Sequence, residues 1–405
     1  MCVARFPKPD FTSGYQYPDI EHGVPLEWLW NVVDIVLLIA LMGVVVWAAY
    51  KRRSRSVILG VSVVSVAYFG FFRSGCVCSV GSIQNVVLAL TDSNYHLPWY
   101  VLCIFIIPLL AAVLFGRVFC AGVCPLGALQ ELVNVKNFRM SRAITAALSV
   151  IPWIYLAFAI LYAATRSQFL ICRFDPFVGI FRLGGDLGMI IFGVALLLLS
   201  VFVGRPFCQF FCPYGALLSV FSSFSWKKLT ITSKGCINCA LCGKSCPVDA
   251  IIWPHSSKTK ESRAAGVRRV LLFAMLLPIF TLGGALLVGQ NSDALSSAHK
   301  SVYLYNLIQE QDQAEEMPLE VETFHALGGD IAALEAEVAE VQRQYAIYAY
   351  LAGALIGFVI GFKLLRLSVK RSRKTYEIDT ARCTVCGRCF SYCPQNTVKK
   401  DEKTL

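Results

Sequence analysis

The chain has 405 residues, of which 56% are hydrophobic and only 16% charged, with a mean hydropathy of +0.60; this excludes an ordinary soluble globular protein. The formal charge of +11, from 37 basic and 26 acidic residues, reflects loop orientation in a polytopic membrane protein rather than nucleic-acid binding, so no nucleic-acid partner is expected. The 17 cysteines, many only two or three residues apart, raise metal clusters against disulfides as the first question.

Apolar runs at 30–50, 57–72, 98–115, 143–164, 187–204, 267–289 and 346–366 are each long enough to cross a hydrocarbon core about 30 Å thick, and predict a transmembrane helix apiece. Basic residues gather in alternate loops: Lys51, Arg52, Arg53 and Arg55, then Lys136, Arg139 and Arg142, then the stretches 227–269 and 363–374. By the positive-inside rule the N-terminus and the acidic stretch 293–345 lie outside and the C-terminus inside, in the cytoplasmic (inner) membrane of a bacterium or archaeon. Arg166, Arg173 and Arg182 on the outer side run against this, partly offset by Asp175 and Asp186. The first 28 residues show no pattern of a removable signal peptide. Asp34, near the outer end of the first span, fits a structural or interfacial role better than a proton relay.

The third and fifth spans end in Gly116-Arg117-Val118-Phe119-Cys120-Ala-Gly-Val-Cys124-Pro125-Leu126-Gly127-Ala128-Leu129 and Gly204-Arg205-Pro206-Phe207-Cys208-Gln-Phe-Phe-Cys212-Pro213-Tyr214-Gly215-Ala216-Leu217. The shared G-R-x-F-C-x3-C-P-x-G-A-L predicts two copies of one hairpin, with four thiols converging at the inner membrane surface. Cys120, Cys124, Cys208 and Cys212 are the expected ligands of a further iron–sulfur cluster, with Arg117 and Arg205 placed to offset its charge. Structural zinc, or cysteines that merely end helices, are the alternatives.

Weaker echoes stand at the outer ends of the same hairpins, in the segment from Phe72 to Gln84 and in Cys172-Arg-Phe-Asp175-Pro176-Phe177-Val178-Gly179-Ile180. Cys76, Cys78 and Cys172 are candidate ligands of an outer cluster, with Cys103 or Asp175 as a fourth; a disulfide such as Cys76–Cys172, or buried thiols, would explain the same residues. Cys2 has no visible partner.

Cys236-Ile-Asn-Cys239-Ala-Leu-Cys242-Gly-Lys-Ser-Cys246-Pro247 and Cys383-Thr-Val-Cys386-Gly-Arg-Cys389-Phe-Ser-Tyr-Cys393-Pro394 are both C-x2-C-x2-C-x3-C-P runs. In this signature three thiols hold one [4Fe–4S] cube and the fourth Cys serves the other cube. The expected sets are Cys236, Cys239, Cys242 with Cys393, and Cys383, Cys386, Cys389 with Cys246. Zinc is the alternative. Two predicted spans separate the halves, and two crossings return the chain to the same face. Between those spans Ile331, Leu334, Val338 and Val341 share one helical face, which serves either packing on the chain's own outer surface or partner docking.

The expected fold is therefore an all-α polytopic membrane protein of about seven transmembrane helices with an internal hairpin repeat, carrying a small cytoplasmic α+β two-cluster ferredoxin domain split in sequence. Its parts are an outer segment 1–29, a transmembrane core 30–225, a first ferredoxin half 226–260, two further spans 261–375 with an outer acidic helical insertion 290–345, and a second ferredoxin half 376–405. All five histidines lie outside the apolar runs and no C-x-x-C-H occurs, so haem is not expected; nor is there a dinucleotide fingerprint, a P-loop, an HExxH or a nucleophile elbow. What remains is electron transfer through two [4Fe–4S] clusters and one or two further iron–sulfur clusters in the membrane core.

The twin C-x3-C-P-x-G-A-L helix ends, the run Asp175-Pro176-Phe177-Val178-Gly179-Ile180-Phe181-Arg182 and the two ferredoxin motifs resemble the NosR/NapH-like membrane iron–sulfur proteins, or polyferredoxins, over roughly 57–255 and 376–400. The resemblance implies a polytopic core, a cytoplasmic ferredoxin and electron delivery from quinol or cytoplasmic donors to periplasmic reductases. The S/T-G-A-T-type flavin attachment site of NosR-type members is not found, so FMN is expected only on a partner. The expected partners are other redox subunits: an outer flavoprotein or cytochrome and a cytoplasmic electron donor or acceptor. A quinol dehydrogenase of NapH type, and a redox-sensing or assembly protein, are the competing functions; whether the chain is itself an enzyme stays open.

Overall fold

The computed structural model describes residues 27–75, 77–135, 137–138, 140–231, 236–254, 262–310, 318–369 and 376–395, which leaves Cys2, Cys76, Lys136 and Arg139 outside the described residues. All the apolar runs are helical. Among the described residues, five helical stretches are long and apolar enough to cross a membrane: Trp28–Arg52, Arg55–Phe72, Ala143–Ala164, Ala264–Gly289 and Ile331–Ser368. In the first two, α1 (Glu27–Val46) and α2 (Arg55–Ser65) each run on into a π-helical turn. An outer segment with α3 (Ser82–Thr91) leads to α4 (Trp99–Phe115). A π-helical turn (Phe119–Val123) and α5 (Pro125–Val133) follow, then α6 (Arg142–Leu148) and α7 (Ile151–Ala164). The second copy comprises the short α8 (Leu170–Arg173) and α9 (Val178–Arg182), then α10 (Leu187–Phe202), α11 (Pro206–Phe210) and α12 (Pro213–Ser223).

The helices α4 and α10 have 17 and 16 residues, about 24–26 Å at 1.5 Å per residue. Each stops at the G-R-x-F-C motif, where Gly116 (φ 73°) and Arg205 (φ 53°) take positive φ. The two copies then interlock. The strand of chain after α5 bonds to the end of α10 through Val135 N–H to Val201 C=O and Phe138 N–H to Phe202 C=O. After α12, Trp226 N–H and Lys227 N–H bond in the same way to Val113 C=O and Leu114 C=O at the end of α4. One hydrophobic core runs from Leu38 and Val45 in α1 through Ile58, Phe69, Ala112 and Leu156 to Val385 and Phe390 of the last cysteine motif.

After α13 (Leu241–Ser245) and β1 (Ile251–Ile252), the long α14 (Arg263–Gly289) leaves this core. It leads to α15 (Ser292–Ser296), α16 (Lys300–Glu310) and α17 (Leu319–Ala326), and returns as the 38-residue α18 (Ile331–Ser368). Val302, Leu334 and Val338 are buried together, with Val341 against them, so that apolar face packs on the chain's own helices; Ile331 stays exposed. The closing elements are β2 (Glu377–Ile378) and α19 (Arg388–Ser391), and β2 pairs antiparallel with β1 through Ile251 opposite Ile378 and Ile252 opposite Glu377. This pairing joins the two halves of the cysteine-rich unit.

The α14–α18 hairpin rests on small residues. A Cβ on Gly284, Gly353 or Gly357 would overlap the backbone of the facing helix, whereas Gly283 faces open space. Gly357→Leu is therefore expected to pry the hairpin apart at a cost of about 1–3 kcal/mol of overpacking. Thermal unfolding in detergent should show it as a lower transition temperature, with Gly283→Leu unchanged as the control.

Candidate metal centres

The four thiols of the twin motifs converge. Cys120, Cys124, Cys208 and Cys212 lie within electrostatic reach of one another. Local structure explains the convergence, because each second cysteine precedes a proline at the first helical position, where its missing N–H costs nothing. The two cysteines have nearly the same backbone, φ −71°, ψ 118° at Cys124 and φ −68°, ψ 111° at Cys212. The Gly215 N–H donates to Cys212 Sγ at 3.3 Å, and Gln130 Nε2 donates to Cys208 Sγ at 3.6 Å. These helix starts turn N–H groups toward sulfur, a favourable setting for anionic thiolates.

The motif segments do not stay at the helix ends where they begin. Ser65 Oγ donates to Val123 C=O at 2.5 Å, and Ser65 stands ten residues into α2 from Arg55, about 15 Å along the helix. Tyr214 Oη donates to Phe105 C=O at 2.7 Å, a carbonyl ten residues back from the end of α4. The motif segments thus re-enter the bundle, and α5 and α12 carry the chain out again. Backbone that departs from the regular α-helix inside an apolar bundle is tolerated only when protein buries it, and Phe119 to Pro125 are all buried.

The two motif arginines do not act alike. Arg205 is fully buried; its Nε lies 3.1 Å from Glu131 Oε2, its Nη1 donates to Cys120 C=O, and its Nη2 donates to Ala121 C=O at 2.8 Å. Arg117 Nη1 donates to Ala381 C=O at 3.3 Å, while its Nε is buried with no hydrogen-bond partner. A Cβ on Gly215 would sit 3.1 Å from Arg117 Nη2, and one on Gly127 would sit 3.5 Å from Cys208 Sγ. Four thiols, an orphaned guanidinium nitrogen and side-chain-free glycines together fit a compact anionic group such as an iron–sulfur cluster.

The ferredoxin-type cysteines form two adjacent sets across the β1–β2 pairing. Cys242 lies within electrostatic reach of Cys236, Cys239 and Cys393. Cys389 lies within reach of Cys383, Cys386 and Cys246, and also of Cys242 in the other set. Burial pushes the Cys246 thiol up to about 11 and Cys383 up to about 12, so metal coordination is what would keep them as thiolates at neutral pH. The Cys236 set is the outlying one, since Cys236 and Cys239 are exposed while Cys386 is buried. The Cys383 set abuts the membrane core: Arg117 reaches both Cys383 and the Cys208–Cys212 pair, and Arg205 reaches both Cys386 and the Cys120–Cys208 pair.

Sequence reasoning missed the carboxylate that ties these parts together. Glu131 Oε1 lies 2.8 Å from Arg388 Nε and 3.2 Å from Arg55 Nη2, and its Oε2 binds Arg205. A comparison of the repeats by difference rather than identity would have exposed it, because Gln130 and Glu131 align with Leu218 and Ser219.

On the opposite side Asp175 lies within electrostatic reach of Cys78 and Cys172. Gly81 N–H donates to Cys78 Sγ at 3.4 Å, and a Cβ on Gly81 would lie 3.3 Å from Cys172 Sγ. Cys78 and Cys172 are free thiols; Cys76 lies outside the described residues. Asp175 Oδ1 also accepts from the Phe177 N–H at 2.9 Å. Asp34 is buried and holds Arg73, with Oδ2 2.8 Å from Nη2, which anchors the outer cysteine segment. Among the described residues no three His, Cys, Asp or Glu side chains are gathered tightly enough to hold a single metal ion.

Comparison with known proteins finds iron–sulfur families over parts of the chain. A 4Fe-4S binding domain family matches residues 97–142 and again 186–232, which are the two copies, and another 4Fe-4S binding domain family matches 376–399. An uncharacterized protein, MJ0750, of Methanocaldococcus jannaschii is 30% identical over 190 residues, covering 45% of this chain and 77% of that protein. The regulatory protein NosR of Stutzerimonas stutzeri is 28% identical over 213 residues, 47% of this chain and 29% of NosR. The putative electron transport protein YccM of Escherichia coli is 29% identical over 153 residues, 34% of this chain and 43% of YccM. The chain thus spans most of the first relative and less than half of the other two. No solved structure matches.

Proposed function

We propose, for a chain that belongs to the NosR/NapH-like family of membrane iron–sulfur proteins, that it conducts electrons across the membrane between a cytoplasmic carrier and a redox partner on the outer side. The observation that carries this reading is the succession of thiol sets: Cys236/Cys239/Cys242/Cys393 at the exposed end, Cys383/Cys386/Cys389/Cys246 beneath it, Cys120/Cys124/Cys208/Cys212 in the bundle, and Cys78/Cys172 with Asp175 beyond. Bound at these sets, iron–sulfur clusters supply reversible one-electron chemistry. The likeness to a putative electron transport protein supports the same direction of argument.

The residues of the chain do the rest. Arg117 and Arg205 place positive charge between the Cys383 set and the bundle thiols, where low dielectric makes it count. The buried re-entrant turns keep water away from the inner thiols. In this reading the split ferredoxin unit faces the cytoplasm, the N-terminus and the helices α15 to α17 face outward, and seven crossings lie between them. The outer partner is a flavoprotein or cytochrome.

Reconstituted in sealed vesicles, the iron-loaded protein is expected to let an impermeant reductant on the ferredoxin side reduce an impermeant acceptor on the other. Cluster reduction with no electrons reaching the far compartment would overturn the conduit.

A further inference from the structure

The cysteine segments of the two faces meet at one place in the bundle, the kink of α4. Pro108 lies inside this helix; it has no N–H to give to the carbonyl four residues back, which is that of Ile104. Ser79 Oγ fills the gap, donating to Ile104 C=O at 3.0 Å, and Ser79 directly follows Cys78. The next carbonyl, that of Phe105, accepts the Tyr214 hydroxyl at 2.7 Å, and Tyr214 is two residues beyond Cys212. Tyr214 is buried, with its ring against Phe105 and Phe119 at centroid distances of 6.0 and 6.1 Å. Its counterpart in the other copy is Leu126, which has no hydroxyl. From Cys78 to Cys212 the route therefore runs through covalent bonds and two hydrogen bonds, with no step across an open gap.

We propose that the Pro108 kink is an electron-coupling bridge between the outer and inner thiol sites, with Ser79 and Tyr214 as the side chains that complete it. The inference rests on the conduit reading. Tunnelling weakens far less per ångström through bonded atoms than across van der Waals gaps, so a hydrogen-bonded route between two centres dominates a looser one. With clusters bound at both sites, one electron would pass from one to the other while the Tyr214 and Ser79 protons stay where they are and no bond forms or breaks. The phenol is a medium here and is never oxidised.

Tyr214→Phe keeps the ring and its packing while deleting one of the two hydrogen bonds, and Ser79→Ala deletes the other. In the iron-loaded protein, flash reduction on the ferredoxin side should show several-fold slower electron arrival at the outer site in each variant. The midpoint potentials and spectra of the centres should not move. The double variant should be no slower than the slower single, since both cut one path. Independently of any redox activity, ring-labelled tyrosine in the infrared should show a strongly hydrogen-bonded hydroxyl in the wild type and its loss in Tyr214→Phe. Equal arrival rates in wild type and variants would overturn the bridge while leaving the conduit standing. No electron arrival in the wild type would instead overturn the conduit itself.

Discussion

Replacing Cys120 or Cys208 by Ser is expected to abolish transmembrane electron transfer and remove one spectroscopically distinct centre, while both ferredoxin-type centres remain. The two thiols come from different copies of the hairpin, so each substitution takes a ligand from one half of a four-thiol set shared by both. Serine keeps the size but offers a hard, weakly acidic hydroxyl in place of a soft thiolate, and iron–sulfur clusters rely on thiolate. The site sits about 15 Å from one end of the neighbouring helices and about 10 Å from the other, so its loss leaves a gap in an insulating layer about 30 Å thick. Iron content should fall by one cluster's worth and the vesicle assay should go silent. Undiminished iron and full transfer in Cys120→Ser would remove the bundle thiols from the route.

The helical spans were legible from the apolar runs because hydropathy over a long window needs no tertiary information. The twin motifs were legible for a different reason, as a duplicated string with cysteine at fixed offsets marks positions that must share a task. The re-entry of the motif segments was not legible. Nothing in G-R-x-F-C-x3-C-P announces that Val123 will reach Ser65, since a re-entrant turn reads as a helix end until the facing helix is known. The polar ties were hidden for the same reason: Glu131 finds partners 76 residues upstream and 74 and 257 downstream, and no local spacing records such pairings. Tyr214 and Glu131 share a further property, in that each stands where the two copies differ. Identity between the copies marks the thiol sites, and difference marks the residues that join them to something else.

Neutralising Glu131 has the largest expected effect outside the cysteines. Its carboxylate faces three guanidiniums, from Arg55 in α2, Arg205 in the second copy and Arg388 between Cys386 and Cys389. Glu131 and Arg388 are 3% and 4% exposed and Arg205 is 0%, so solvent can do little to replace the missing charge. Glu131→Gln preserves shape but leaves buried, mutually repelling cations, a loss of the kind that costs about 3–5 kcal/mol when one partner of a buried pair is removed. The consequence falls on the joint between domains, because Arg388 holds the last cysteine motif against α5 and Asn134 C=O accepts its Nη2 at 3.4 Å. In Glu131→Gln the segment after residue 375 should become accessible to protease, and transfer from the Cys383 set into the bundle should slow. The potential of the centre at that set should rise, since a fixed negative charge has left its neighbourhood. The exposed Cys236 set, which Glu131 does not touch, should keep its spectrum. Arg55→Lys should be milder, as Arg55 is the most solvent-accessible of the three, with 19% of its side chain exposed. If Glu131→Gln left protease resistance, transfer and potential all at wild-type values, Glu131 would be a bystander and the ferredoxin unit would be held to the membrane core by its apolar contacts alone.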